Sequence, residues 1–305
     1  MAEDITENLV TSVDCKQGAV RAVRFNADGN YCLTCGSNKT VKLWNPHRGS
    51  VLKTYIGHGY EVLDAQSSSD NSQICSGGMD KTVVVFDVST GHAVRKYRGH
   101  AGTVNCVKFN EESTVVLSGS LDSTVQAWDC RSRKTTPIQV MDEAKDSVTS
   151  IQVSDHEILT GSADGRVRRY DLRNGKLFSD YIGTSVTSVT FTRDGQCTLA
   201  STLDNKLRLL DKDSGELLNE YEGHKNKEYK IDSCLNWKDT HIVSGSEDGF
   251  VYIWDLIDAK LLQKLDHSTT RAVHSLSFHP SEACLLTASA DKLYVWKDRY
   301  AASLS

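Results

Sequence analysis

The chain has 305 residues, of which 39% are hydrophobic and 25% charged, with a net charge of −5 and a pI near 6.1. This balance suits a protein with a substantial buried core and excludes the strongly basic face of a general nucleic-acid binder. No apolar run reaches the length of a bilayer span, and Met1-Ala-Glu-Asp4 lacks the basic and apolar regions of a secretory signal. Nine cysteines, an odd number, are expected to be reduced thiols packed as small apolar side chains. The expectation is a protein of cytoplasm and nucleus without membrane contact.

The first predicted element is a strand-like run from Glu7 to Val13. Behind it the chain repeats itself, with large side chains, most followed by Asp, at Trp44, Phe86, Trp128, Tyr170, Leu210, Trp254 and Trp296. The gaps between them are 42, 42, 42, 40, 44 and 42 residues. The segments run approximately over 16–57, 58–99, 100–141, 142–182, 183–223, 224–266 and 267–298, leaving no room for a second fold. The third is the most regular. Its strands are predicted at Thr103 to Phe109, Thr114 to Gly119, Thr124 to Trp128 and Thr135 to Val140, separated by Asp-, Ser- and Gly-rich turns. A period near forty that ends in Trp-Asp is similar to the WD40 repeat, with four strands per blade. The predicted fold is therefore all-β, a single seven-bladed propeller. The last repeat stops after its third strand, so the run Glu7 to Val13 is predicted to close that blade and cover its edge.

WD40 blades carry a bonded tetrad of His, Ser or Thr, Asp and Trp. Three repeats contain every member: His100, Ser118, Asp122 and Trp128; His224, Ser244, Asp248 and Trp254; His267, Thr287, Asp291 and Trp296. In the second repeat Phe86 deprives His58, Ser76 and Asp80 of the indole donor. Repeats one, four and five place Lys16, Ala144 and Ile182 near the His position, so apolar packing is expected to hold them. Because the His-Ser-Asp sets recur at one structural position, they read as scaffold and not as hydrolase triads. Cys32-Leu-Thr-Cys35 has metal-ligand spacing, but on a strand positions three apart face opposite ways. No enzyme, cofactor or metal is expected.

Partners should meet the loops. On the face of the turn Asp residues, Met79, Leu121 and Leu203 are apolar turn tips that could join Tyr60 and Tyr229 in one protein-binding surface. On the opposite face Trp237 is a candidate anchor. Arg169 takes a third-strand slot filled elsewhere by aliphatic residues, where an ion pair is expected. Trp128-Asp-Cys-Arg131 and Tyr170-Asp-Leu-Arg173 are paired Asp-x-Arg boxes, similar to those by which WD40 substrate receptors dock on cullin-RING ligase adaptors. Arg131, Arg133 and Lys134, followed by Ile138 and Val140, resemble a docking motif for mitogen-activated protein kinases.

Several longer segments are distinctive, loops included. Among them are Gly18-Ala-Val-Arg-Ala-Val-Arg-Phe25, Gly57-His-Gly-Tyr-Glu-Val-Leu-Asp64, Gly165-Arg-Val-Arg-Arg-Tyr-Asp-Leu-Arg173 and Leu207-Arg-Leu-Leu-Asp-Lys-Asp-Ser-Gly-Glu216. From about residue 14 to 297 the chain resembles the mitogen-activated protein kinase organizer family of WD-repeat scaffolds. That resemblance implies a monomeric, non-enzymatic platform. It would assemble components of the extracellular-signal-regulated kinase cascade and associate with spliceosomal proteins.

Overall fold

The computed structural model describes residues 8–298, so Glu7 and the tail beyond Asp298 lie outside the described residues. Seven four-stranded antiparallel sheets form the blades. In the first blade the strands Val20–Phe25, Cys32–Gly36, Thr40–Asn45 and Ser50–Ile56 run in sequence order from the axis outward. The seventh blade has three strands of its own, Val273–Phe278, Cys284–Ser289 and Lys292–Lys297. Its outer strand is Asn8–Asp14, paired antiparallel from Asn8 opposite Lys297 to Asp14 opposite Lys292. The two ends of the ring thus share one sheet, and the outer edge of the last blade is covered. In the third blade the outer strand shrinks to Gln139–Met141, shorter than the sequence suggested. Pro137, which cannot donate to the ladder, precedes it.

The apolar core is divided into slabs between blades. One joins Val23 and Trp44 of blade one to Leu286 and Val295 of blade seven; another joins Cys75 and Val85 to Val107 and Trp128. Because alternate residues face opposite sides of a sheet, each blade feeds two slabs. Cys32 and Cys35 enter different slabs and are both buried, which separates the pair as a ligand set. Each inner strand is the edge of its own sheet, so part of its N–H groups need partners from outside the ladder. Neighbouring side chains supply them. Ser275 Oγ accepts from the Val23 N–H at 3.1 Å, Asp64 from Val107 at 3.1 Å, Ser150 from Val189 at 3.2 Å and Ser188 from Ser233 at 3.3 Å.

The three full tetrads expected from sequence meet three different outcomes. Blade three has all of its bonds: His100 reaches Asp122 at 2.9 Å and Ser118 at 2.8 Å, and the Trp128 indole donates to Ser118 at 2.8 Å. Blade two keeps His58 on Asp80 and Ser76 without an indole. In blade six the tetrad does not form. The Tyr252 hydroxyl takes Asp248 at 2.7 Å, Trp254 donates to the Glu222 carbonyl at 3.1 Å, and neither ring nitrogen of the buried His224 has a partner. In blade seven His267 bonds Thr287 at 2.6 Å and Trp296 donates to Thr287 at 2.9 Å, but Asp291 stays out. Its hairpin explains this. Ser289 pairs with Lys292 across a two-residue turn, whereas blade five leaves three residues between Thr202 and Lys206. The shorter turn moves the carboxylate away from the imidazole.

The blades expected to rest on apolar packing carry polar locks instead. In blade one the Trp44 indole donates to Thr34 Oγ1 at 2.7 Å, Thr34 donates to Gln17, and the Gln17 amide donates to the Thr40 carbonyl at 3.0 Å. Gln17, not Lys16, fills the histidine position. In blade four the buried Arg168 clasps Asp164 at 2.6 Å and donates to Ser162 at 2.7 Å. In blade five Arg208 does the same to Asp204 and Thr202, at 2.5 and 2.6 Å. These pairs stand where apolar burial is thinnest, since the slab between blades four and five has only Leu159, Val167, Val186, Val189 and Ala200 as its buried members. Arg169 does form the expected ion pair: it meets Glu157, which also receives Lys212 at 3.1 Å.

Removing the Asn8–Asp14 strand by deleting residues 1–14 should destabilise the ring by several kcal/mol and lower the melting temperature by roughly 10 °C. Differential scanning calorimetry checks this. Asp164→Ala strands a buried guanidinium and should cost about 3–5 kcal/mol in urea unfolding. Asp248→Ala frees the Tyr252 hydroxyl and the Phe250 N–H, no charged group among them, and should cost about 1–2 kcal/mol.

Burial holds the His224 and His267 imidazoles down at about 4, below the ordinary 6.5. The unfolded chain therefore binds the protons first. Stability should be full above about pH 6.5 and fall by roughly 3 kcal/mol per histidine as the pH drops to about 4. A second loss follows at lower pH. Burial raises the Asp122 and Asp164 carboxyls, but hydrogen bonds from Thr124 and His100, and from Arg168 and Ser162, outweigh it and hold both at about 2. Their stabilisation is present above the ordinary 3.8 and disappears as the pH falls through about 2. The double variant His224→Phe, His267→Phe should lose most of the first slope, the remainder belonging to histidines such as His100 and His274 that burial also lowers, and keep the second, read from urea midpoints across pH.

Candidate interaction surfaces

Antiparallel blades put two kinds of loop on two faces. Turns between the second and third strands, with the connections between blades, form the upper face; turns between first and second and between third and fourth strands form the lower. On the upper face Tyr60 (64% exposed), Leu121 (57%) and Met79 are prominent on blades two and three. Lys39 lies over the Tyr60 ring at 5.7 Å. Beside them a groove lined by Tyr60, Lys81, Lys96 and Arg98 gives the apolar tips a cationic border. Leu203 and Tyr229 do not join this patch. They belong to blades five and six, across the central channel, where Leu203 is half-buried and Tyr229 packs edge-on against His274 at 5.4 Å. Tyr229 nevertheless lines the channel mouth with Leu63 of blade two and Asn105 of blade three.

On the lower face Arg131 and Arg173 project from neighbouring blades with side chains 73% and 67% exposed. Each sits only loosely on its own turn carboxylate, Asp129 at 3.5 Å and Asp171 at 3.7 Å, so its donors face solvent. Arg133 and Lys134 are exposed in the same loop as Arg131. Ile138 and Val140 are exposed too, because Met141 takes the inward side of the short outer strand. Trp237 is not a free anchor. It is half-buried in the turn of blade six, under Lys238 at 4.5 Å, and lines the central channel with its indole N–H unpartnered.

Sequence inspection overlooked two features. The locks of blades four to six follow from Asp164-Gly-Arg-Val-Arg168, Asp204-Asn-Lys-Leu-Arg208 and Asp248-Gly-Phe-Val-Tyr252. A long donor four residues after the turn Asp folds back onto it. Where that residue is Val84 or Gln126 the Asp is left to histidine, with Thr82 or Thr124 as second donor. The other feature is the channel. Arg24 crosses it from blade one, binding Asp64 at 3.1 Å and Asp232 of blade six at 2.8 Å. Lys230 reaches the Asn105 carbonyl of blade three at 3.1 Å.

Seven four-stranded blades, their third strands ending mostly in an aromatic residue and Asp, define a WD-repeat β-propeller, a class built for protein contacts. The WD domain, G-beta repeat family matches residues 7–45 and 259–297, the two stretches that meet at the ring closure. The Nucleolar protein 10-like N-terminal domain family matches residues 61–244. The chain is similar to WD repeat domain-containing protein 83 of Rattus norvegicus, at 67% identity over 97% of this chain and 94% of that one. The Homo sapiens protein is 65% identical over 97% and 93%, and the Dictyostelium discoideum homolog 38% identical over 92% and 94%. The chain belongs to the WD repeat domain-containing protein 83 family.

Proposed function

We propose that the protein is a non-enzymatic scaffold that assembles components of the extracellular-signal-regulated kinase cascade, and that it also serves with spliceosomal proteins. The observation that carries this reading is the near end-to-end identity to the family, joined to separate exposed surfaces on one rigid ring. The polar constellations that resemble catalytic sets are spent on holding blades together, which supports a role without catalysis or cofactor. The propeller acts as a monomer, and neither membrane nor nucleic acid is its target. Nine thiols are free, and burial raises those resolved above the ordinary thiol value, in keeping with the reducing cytoplasm and nucleus.

The mechanism is effective concentration: two partners held by one ring meet more often than free ones. Kinase-cascade output should rise and then fall as the scaffold is titrated in cells, because excess scaffold separates the partners. A monotonic rise would overturn the assembly role. Met79→Glu with Leu121→Glu should weaken upper-face partners about tenfold or more. Both sites are exposed, so the melting temperature should stay within the range of ordinary surface changes.

The exposed arginines of neighbouring blades favour a second reading, a substrate receptor on a cullin-RING ligase adaptor. Replacing Arg131 and Arg173 with Ala should then abolish adaptor co-purification and leave upper-face partners bound.

A further inference from the structure

The central channel contains a cavity of about 360 Å³ that opens between the lower-face turns around Trp237 and Pro280. Its charged wall residues are Arg24, Lys108, Arg193 and Lys230 against Asp64, Asp232 and Asp239, one positive charge in excess. Asp64 is ion-paired with Arg24 and accepts from the Val107 N–H, its Oδ1 making no hydrogen bond, and Asp232 is bound by Arg24 and accepts from the Ser275 hydroxyl. Arg193 donates to the Trp237 carbonyl, Lys230 donates to the Asn105 carbonyl, and Asp239 accepts from the Arg193 backbone N–H. Lys108 is the remaining cation, and among the described residues it has neither ion pair nor hydrogen bond. Burial and the nearby Arg24 make its charged form costly, outweighing the opposite pull of Asp64 and Asp232, and a bound anion would favour that form.

The rest of the wall is rich in donors. The Trp237 indole N–H is buried without a partner. Ser150, Ser188 and Ser277 already accept backbone N–H groups of the next blade, and Ser233 accepts from Ser201. A hydroxyl used as an acceptor keeps its proton to give. Six donors thus line one cavity, in which Asp64 Oδ1 is, among the described residues, the one buried side-chain acceptor without a hydrogen bond. A planar carboxylate has too few lone pairs to take all six, whereas a phosphate presents three terminal oxygens and a larger charge.

We propose that the channel cavity is a binding site for a small phosphate-bearing molecule, whose phosphoryl oxygens are held by Lys108 and the Trp237 indole and by the serine hydroxyls of the inner strands. The volume leaves room for a few carbons beyond the phosphate itself.

The full chain has five tryptophans, so its nitrogen-15 spectrum should show five indole signals, and Trp237→Phe identifies one of them. Titration with inorganic phosphate and with glycerol 3-phosphate, against sodium chloride at matched ionic strength, should move that signal saturably. Lys108→Gln should weaken both phosphates about tenfold or more, and calorimetry on Trp237→Phe should show a smaller loss. A shift that follows ionic strength alone, or an unchanged affinity in a natively folded Lys108→Gln protein, would overturn the site. Equal binding of acetate would assign the cavity to an acidic side chain of a peptide partner and overturn the phosphate assignment.

Discussion

Each blade buries a polar hairpin between its second and third strands, and the ring depends on finding that hairpin a partner. A carboxylate or hydroxyl left unpaired there would cost as much as several packed methyl groups contribute. The chain solves the problem in more than one way. Histidine does it in blades two and three, glutamine with threonine in blade one, arginine in four and five, tyrosine in six. Blade seven satisfies its threonine through His267 and leaves its aspartate outside the network. What recurs in blades one to six is the satisfied hairpin, not the residue that satisfies it.

This explains which parts of the fold were legible in the sequence. The period, the number of blades and the closing strand follow from spacing and from the missing outer strand of the last repeat, and spacing survives substitution. A complete tetrad was legible only in blade three, though blade two's set without its indole and the His267, Thr287 and Trp296 bonds of blade seven also follow the sequence. Matching His224, Ser244, Asp248 and Trp254 to a pattern could not reveal that Tyr252, on the same hairpin, reaches Asp248 first. Nor could it reveal that a turn shortened by one residue takes Asp291 out of range. Gln17 was missed because the search was for an imidazole, when any donor-acceptor side chain of similar reach can serve. The locks of Arg168 and Arg208 were hidden in plain spacing, four residues beyond an aspartate.

The surfaces show a similar division. Exposure of Met79, Leu121, Tyr60, Arg131 and Arg173 could be read from their turns, because turn tips face solvent. Their grouping could not, since it depends on the angle between blades. The half-buried setting of Trp237 was open in the sequence for a related reason. A turn near the axis has the channel beside it as well as the solvent, and a large indole is better covered by the former.

The pairing of Asn8 with Lys297 has a topological meaning. The described residues begin and end side by side, so the propeller is nearly a continuous loop with one nick in it. All seven interfaces between blades are made by the same kind of apolar slab, and the nick falls inside a sheet instead of between two. Joining the neighbouring ends and opening the chain in another lower-face turn would leave every interface intact. The seam belongs to the genetic order of the chain, while the architecture itself has no first blade.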